Sequence, residues 1–452
     1  MFLIARLRSP PMRLERTWPA LGIGLAVLLA YATAWHGDFQ FDDYNVIVAA
    51  DPVHSWQAWV AGLGSGLRPL LKLSYLLNWS IDPQPLGFHL FNLLVHLTTT
   101  ALVYLLVRRF GEIHAPSLDW RSVAWVTALW FGLHPVHTEA ITYVSGRATS
   151  LMTMGYLGAL YAYTRGWRWC ALCGFVAAVL VKESAMLLPF TLLLWEGLAG
   201  SSPRSIVRRQ WPWWLLAVLA VLALLAHPAY RSLIGNSWRL HDSLAAGCTQ
   251  LLAATYLIGQ LLWPAALNID PDLPVITDLA AVWPQWLGLA LLVWLAWRWR
   301  RERPWVSFGV AWAILHLLLF NALLPRTDIA NERLLYWGDW ALIFAIVTEL
   351  RLRLPRRWFN AVAIALAVAM TLTTSARNRI YQSEIALWQD TAAKSPHKAR
   401  VLNNLGYAYA EAGRRAEAER AYREALRWQP DYLKASNNLR RLQAGHAPPE
   451  AN

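Results

Sequence analysis

Residues 18–35 read WPALGIGLAVLLAYATAW, and Gly37-Asp-Phe-Gln-Phe-Asp-Asp-Tyr44 follows directly. The first run is apolar almost throughout and close to the roughly 20 residues a helix needs to cross a hydrocarbon core. It predicts a membrane-spanning helix. The second stretch then sets two adjacent carboxylates, Asp42 and Asp43, between aromatic rings at a membrane surface. A paired acid is costly to hold beside a bilayer. Two readings stand on these residues alone: a solvated loop that merely ends a helix, or an acid–base centre.

The rest of the 452 residues decides the fold class. Hydrophobic residues make up 56% and there are 28 tryptophans. That excludes a large soluble globule and predicts a polytopic membrane protein with rings at the interfaces. A net charge of +13 would suggest nucleic acid in a soluble protein. Here the arginines sit in short loops between apolar runs, so topology accounts for them and no nucleic acid is expected. Cys170, Cys173 and Cys248 give no disulfide framework. Cys170 and Cys173 have metal-pair spacing but lie in an apolar helix without a His or acid partner, so they are read as packing. Arg6, Arg8, Arg13 and Arg16 precede the first run, and Ala32-Thr-Ala34 resembles a signal-peptide cleavage site. The length of the run and the many later ones favour an uncleaved first span.

Eleven spans are expected, near 18–35, 88–107, 122–134, 148–164, 168–181, 185–199, 212–227, 281–297, 305–323, 334–349 and 358–375. With alternation, the arginine loops fall on one side: Arg108, Arg109 and Arg121; Arg165 and Arg168; Arg204, Arg208 and Arg209; Arg298 to Arg303; and Arg351 to Arg357. The positive-inside rule makes that side, and the N-terminus, cytoplasmic. The other side collects Asp42, Asp43, His134, His137, Glu139, Lys182, Glu183, Asp270, Asp272, Asp328, Glu332 and Arg333. Residues 244–263 are apolar enough to cross, but a crossing there would put Arg298 to Arg303 outside. They are read as a re-entrant or surface-lying helix on the outer side.

Composition changes near residue 376. Leu402-x2-Leu405-Gly406-x2-Tyr409, then Ala418-x3-Tyr422, Ala425 and Pro430, follow the tetratricopeptide pattern. Trp388 and Pro396 precede Tyr422 and Pro430 by one 34-residue period, which predicts a half repeat before the full one. The expected organisation is a membrane domain over 1–376 and an outer-face repeat domain over 377–452. A unit so short needs neighbours, so it is expected to dock on the outer loops.

Transfer of a sugar from a lipid phosphate needs a base for the acceptor hydroxyl and cationic or metal groups for the leaving phosphate. Asp42 and Asp43 can supply the base, with separate tasks because neighbours in an extended loop diverge. His134, His137 and Glu139 resemble a metal set by type, though no zincin spacing is present. Their plainer reading is hydrogen-bonded interface residues. Lys182 can bind phosphate or pair with Glu183 across a hairpin. Arg333 can fork onto a phosphate or pair with Glu332. His89, Asn92 and His96 share one helix face that should point into the bundle.

The ordered set of Gly37-Asp-Phe-Gln-Phe-Asp-Asp43, Arg68-Pro69, Gly87-Phe-His-Leu-Phe-Asn92-x3-His96, His134-Pro-Val-His137-Thr-Glu139-Ala, Lys182-Glu183 and Glu332-Arg333-Leu-Leu-Tyr336, with repeats behind it, resembles the transmembrane and tetratricopeptide-repeat-containing O-mannosyltransferases and their bacterial relatives. The resemblance implies an all-α, polytopic membrane bundle of GT-C type with a short repeat domain. It implies an inverting enzyme that moves a monosaccharide from a polyprenyl-phosphate donor to Ser or Thr of an exported protein. Asp42 and Asp43 match the acidic motif of the first loop. Arg68, Arg147, Lys182 and Arg333 would meet the donor phosphate, supported by His134, His137, Glu139, Glu183, Glu332 and His89. A divalent metal stays open, with Asp43, His137 and Glu139 as its ligand candidates. Composition and brevity suggest a bacterial inner-membrane protein with undecaprenyl phosphate as carrier, a pilin or other exported protein as acceptor, and the repeats in the periplasm. Transfer to lipid A or another glycan, and a non-catalytic scaffold built on the repeats, are the alternatives.

Overall fold

The computed structural model describes residues 18–116, 118–240, 243–319 and 328–445. Arg6, Arg8, Arg13 and Arg16 lie outside them, as does the end of the chain after residue 445. Among the described residues every regular element is helical. The principal helices are α1 (Trp18–Ala30), α2 (Pro69–Ile81), α3 (Pro85–His114), α4 (Trp120–Leu133), α5 (Arg147–Thr164), α6 (Arg168–Val181), α7 (Leu188–Leu198) and α8 (Pro203–Ala226). After a further helix at Pro228–Leu240 come α9 (Ser243–Leu262), α10 (Trp283–Arg298), α11 (Pro304–Ala313), α12 (Trp340–Arg353) and α13 (Arg356–Ile380). Four polar helices close the chain: α14 (Glu384–Lys394), α15 (Ala399–Glu411), α16 (Arg415–Trp428) and α17 (Leu433–Gln443).

Local chemistry sets many of these boundaries. α2, α3, α7, α8, α10 and α11 all carry proline in their first two positions. There its missing N–H costs no helical bond. Asp119 caps α4 through the Arg121 N–H, and Ser383 caps α14 through that of Ala386. Pro135 bars helical geometry at His134 and stops α4 at Leu133.

Five helices among the described residues are long and apolar enough to cross a membrane, beginning with Pro85–His114 and including Ala245–Leu262. Shorter apolar helices stand beside them. Leu287, Leu291 and Trp294 of α10, and Ile364, Val368 and Leu372 of α13, remain exposed, as a lipid-facing surface requires. Polar residues turn inward instead: His89, Asn92 and His96 of α3 are all buried. The protein is therefore an all-α polytopic membrane bundle with a helical repeat region. The segment expected over 244–263 is the long helix α9 (Ser243–Leu262), whose Leu257 and Leu261 enter the main core.

The bundle has two chemically different ends. At one, the Arg109 guanidinium donates to the Thr164 carbonyl, Arg209 pairs with Glu196, and Arg303 pairs with Glu349 at 2.8 Å. These arginines belong to the basic loops. At the other, the ends of α1, α4 and α13 meet: Asn378 donates to the Ala30 carbonyl and Thr374 to that of Leu133. α3 and α5 begin there. That end carries the acid pair.

The last membrane-type helix runs without a break to Ile380, so the composition change near residue 376 falls inside it. The repeat region then folds back onto the acid-pair end. A Cβ on Gly406 would come within 2.7 Å of the Tyr422 ring, so only glycine lets α15 and α16 approach this closely. Docking is polar as well as apolar. Asp270, buried in the segment after α9, accepts from Lys398 Nζ at 2.8 Å and from Arg400 Nε at 2.8 Å and Nη2 at 2.5 Å. Ser395 donates to the Asp270 carbonyl, and Lys394 to that of Leu267. Asp270→Ala leaves two half-buried cations without their carboxylate. We expect a loss of about 1–3 kcal/mol of docking stability, seen as faster hydrogen exchange across 384–428 with unchanged exchange in α3 and α5.

Candidate functional site

The acidic loop is shaped by its neighbours. Phe41 has φ +48°, in the left-handed region that a bulky side chain avoids. Arg68 is the other non-glycine residue of positive φ among the described residues. Phe41 adjoins Asp42, and Arg68 is itself expected in the site; stored backbone strain often clusters at such places. The turn carries Asp42 and Asp43 in different directions.

Asp43 is 1% exposed and fully engaged. Its Oδ2 accepts from the Gln40 N–H at 3.0 Å, and its Oδ1 accepts from the Ser145 N–H at 2.8 Å and from the Ser145 hydroxyl. Burial pushes its carboxyl up to about 7, against the pull of those hydrogen bonds. Asp42 is only half-buried, and its N–H donates to the Tyr143 hydroxyl at 3.0 Å. The Arg333 guanidinium lies 6.0 Å from the centre of the Tyr143 ring, within electrostatic reach of Asp42. Arg333 is held by Glu139, with Nε–Oε1 at 3.1 Å and the Arg333 N–H donating to Oε2 at 3.0 Å. A Cβ on Gly146 would lie 2.2 Å from the Glu139 carbonyl, so a glycine is needed where this segment doubles back before α5.

The histidines are structural at their present contacts. His137 meets the Phe131 carbonyl through Nδ1 at 2.8 Å and the Asp339 carboxyl through Nε2 at 2.9 Å. His134 meets the Leu261 carbonyl and its own Val136 N–H. His89 meets the Gly37 carbonyl at 3.0 Å, anchoring the start of the acidic loop. Among the described residues no three His, Cys, Asp or Glu side chains are grouped to hold a metal ion. Asp43, His137 and Glu139 are committed to Ser145, Asp339 and Arg333 respectively, and do not fit a shared metal.

The cations separate into two kinds. Arg68 forks onto Glu183, with Nη2–Oε1 at 2.6 Å and Nε–Oε2 at 3.0 Å. Burial raises the Glu183 carboxyl, but Arg68 more than offsets this and holds it at about 2. Lys182 Nζ donates to Thr149 at 2.9 Å and also lies within electrostatic reach of the Glu183 carboxyl. Arg147 is 0% exposed. Its guanidinium donates to Asn92 Oδ1 at 2.6 Å and to the carbonyls of Ser74 and Phe88 at 3.0 Å, among the rings of Tyr75, Phe88 and Phe91. That geometry ties α2, α3 and α5 together and leaves no guanidinium face toward solvent. Tyr75 of α2 lies within electrostatic reach of Arg147, Asp43, Arg68 and Arg333, so the groups share one end of the bundle.

Glu332 lies 3.6 Å from Arg377, which also pairs with Asp390 at 2.6 Å. Arg377, Asp339, Tyr143 and Tyr381 were not singled out by the sequence reading. Asp339 follows Glu332-Arg333-Leu-Leu-Tyr336 by three residues, and Arg377 is the first charge after an apolar run; both were available signals.

Three carboxyls at this end, Asp43, Glu332 and Glu384, are raised to about 7 by burial. A folded value above the unfolded one favours folding at low pH, and the benefit is lost as pH rises through the folded value. Through these three carboxyls alone, stability should rise as pH falls from 8 to 5. Asp43→Asn should flatten part of that slope in a thermal-unfolding series; an unchanged slope contradicts the assignment.

Comparison with known proteins follows the same division. Residues 399–432 match the family Tetratricopeptide repeat. Along most of its length the chain is similar to animal proteins named protein O-mannosyl-transferases. It is 24% identical over 445 residues to Protein O-mannosyl-transferase F38B6.6 of Caenorhabditis elegans, covering 90% of this chain and 62% of that one. It is 28% identical over 458 residues to Protein O-mannosyl-transferase Tmtc3 of Drosophila melanogaster, covering 83% and 50%. With Protein O-mannosyl-transferase TMTC4 of Homo sapiens it shares 30% identity over 181 residues, covering 35% and 24%. The chain thus spans at most about three-fifths of the length of these relatives. No solved structure matches it.

Proposed function

We propose that this protein is a GT-C type glycosyltransferase that moves a monosaccharide from a polyprenyl phosphate to a Ser or Thr hydroxyl of a protein. The observation that carries this reading is the strained Phe41–Asp43 turn. It holds one carboxylate buried and bonded, and its neighbour half-buried beside Tyr143 and Arg333. Similarity to the O-mannosyl-transferases favours mannose and a protein acceptor.

In this reading Asp42 takes the proton of the acceptor hydroxyl as its oxygen attacks the sugar's anomeric carbon. The bond to the lipid phosphate breaks with inversion, and Arg333, Arg68 and Lys182 stand nearest in kind to meet the departing phosphate. Asp43 positions the turn through Ser145 and Gln40. On the expected topology of eleven spans with a cytoplasmic N-terminus, this chemistry and the repeats lie on the non-cytoplasmic face. The test is transfer from a panel of synthetic undecaprenyl- and dolichyl-phosphate sugars to Ser/Thr peptides by purified protein, with and without EDTA. Asp42-dependent glycopeptide supports the reading; no glycopeptide with any donor, or the same yield from Asp42→Asn, contradicts it.

A further inference from the structure

The acidic turn is gripped from the repeat side. The Phe41 ring meets Trp388 of α14 edge-on, centroids 5.2 Å apart. Trp388 is buried, and its indole N–H donates to Glu384 at 3.4 Å. The Phe41 backbone N–H also lies near enough to favour the charged form of the Glu384 carboxyl. One residue earlier, the Gln40 side-chain amide donates to the Tyr381 carbonyl, just before α14. Tyr143, which contacts Asp42, lies in one apolar cluster with Tyr381, Leu387, Trp388 and Val401. The turn between Gln40 and Asp43 is thus fixed on one side by Ser145 and Tyr143, and on the other by the helix that leads into the repeats.

A left-handed conformation at a bulky residue persists only where its surroundings over-determine it. From this geometry we infer that Trp388 and Glu384 are positioning residues of the acid pair. They hold Phe41 in its strained turn, so that Asp42 and Asp43 keep their separate directions. The segment before the repeats is then part of the reaction centre as well as a route to an acceptor-holding domain. This rests on the acid pair being the reaction centre.

The experiment uses the full-length protein and the peptide-transfer assay. Misplacing a reacting group by about 1 Å can cost about 10²-fold in rate. Trp388→Ala should lower kcat by 10- to 100-fold and leave the acceptor KM within twofold. Trp388→Phe should keep most of the rate. Phe41→Leu, which removes the ring-to-ring contact with less loss of volume, should also lower kcat. The double variant Phe41→Leu/Trp388→Ala should be no slower than Trp388→Ala alone, because both act through one contact. A raised acceptor KM at unchanged kcat, unchanged kinetics, or multiplying effects in the double variant overturns the inference while leaving the acid-pair reading intact. Full activity of Asp42→Asn removes both.

Discussion

Asp42→Asn is expected to lower kcat for sugar transfer by about 10³-fold, within the range typical for loss of a positioned general base, while the melting temperature stays near that of the parent. Asp42 is half-buried, and its backbone N–H donates to the Tyr143 hydroxyl, a contact the isosteric substitution keeps. Asp43→Asn differs. Its carboxylate accepts three hydrogen bonds inside the protein. An amide turns a donor toward groups that are themselves donors. That variant should lose about 1–3 kcal/mol of stability and activity together. Steady-state kinetics beside thermal unfolding separates the two. If Asp43→Asn alone is stable and inactive while Asp42→Asn retains activity, the roles of the two acids are reversed.

The second large effect is on folding. Arg147→Met removes a wholly buried guanidinium whose partners are Asn92 and the carbonyls of Ser74 and Phe88. These acceptors keep no comparable donor, and the bundle loses the tie between three helices. A destabilisation of about 3–5 kcal/mol is expected, on the scale of breaking a buried charged network. Size-exclusion yield and thermal unfolding measure it. Arg147→Lys should rescue only in part, since one ammonium cannot serve three directions. A variant as stable as the parent that has lost donor affinity would instead assign Arg147 to the donor phosphate.

Much of this was open to reading from the residues. Apolar length located many of the membrane-type helices, while α2 (Pro69–Ile81) fell outside the expected spans. The 34-residue spacing of Trp388 to Tyr422 found the half repeat, and the repeat packing follows from it. Asp42, Asp43 and the His134–Glu139 stretch stood out as polar groups among apolar ones. What escaped was partner choice. Glu183 reaches Arg68, 115 residues earlier. His137 reaches Asp339 across 202 residues. Arg147, which the resemblance implies at the donor phosphate, donates to Asn92 and to the carbonyls of Ser74 and Phe88. Residue chemistry shows which side chains need a partner; only tertiary packing decides which partner each one takes.

Transfer of labelled sugar to a Ser/Thr peptide, followed with purified parent and Asp42→Asn proteins and a defined polyprenyl-phosphate donor, tests the central claim most directly. Time-dependent glycopeptide from the parent, reduced about a thousandfold by the substitution at equal thermal stability, is the predicted result. Glycopeptide formed equally by both proteins, or by neither with any donor of the panel, would contradict it.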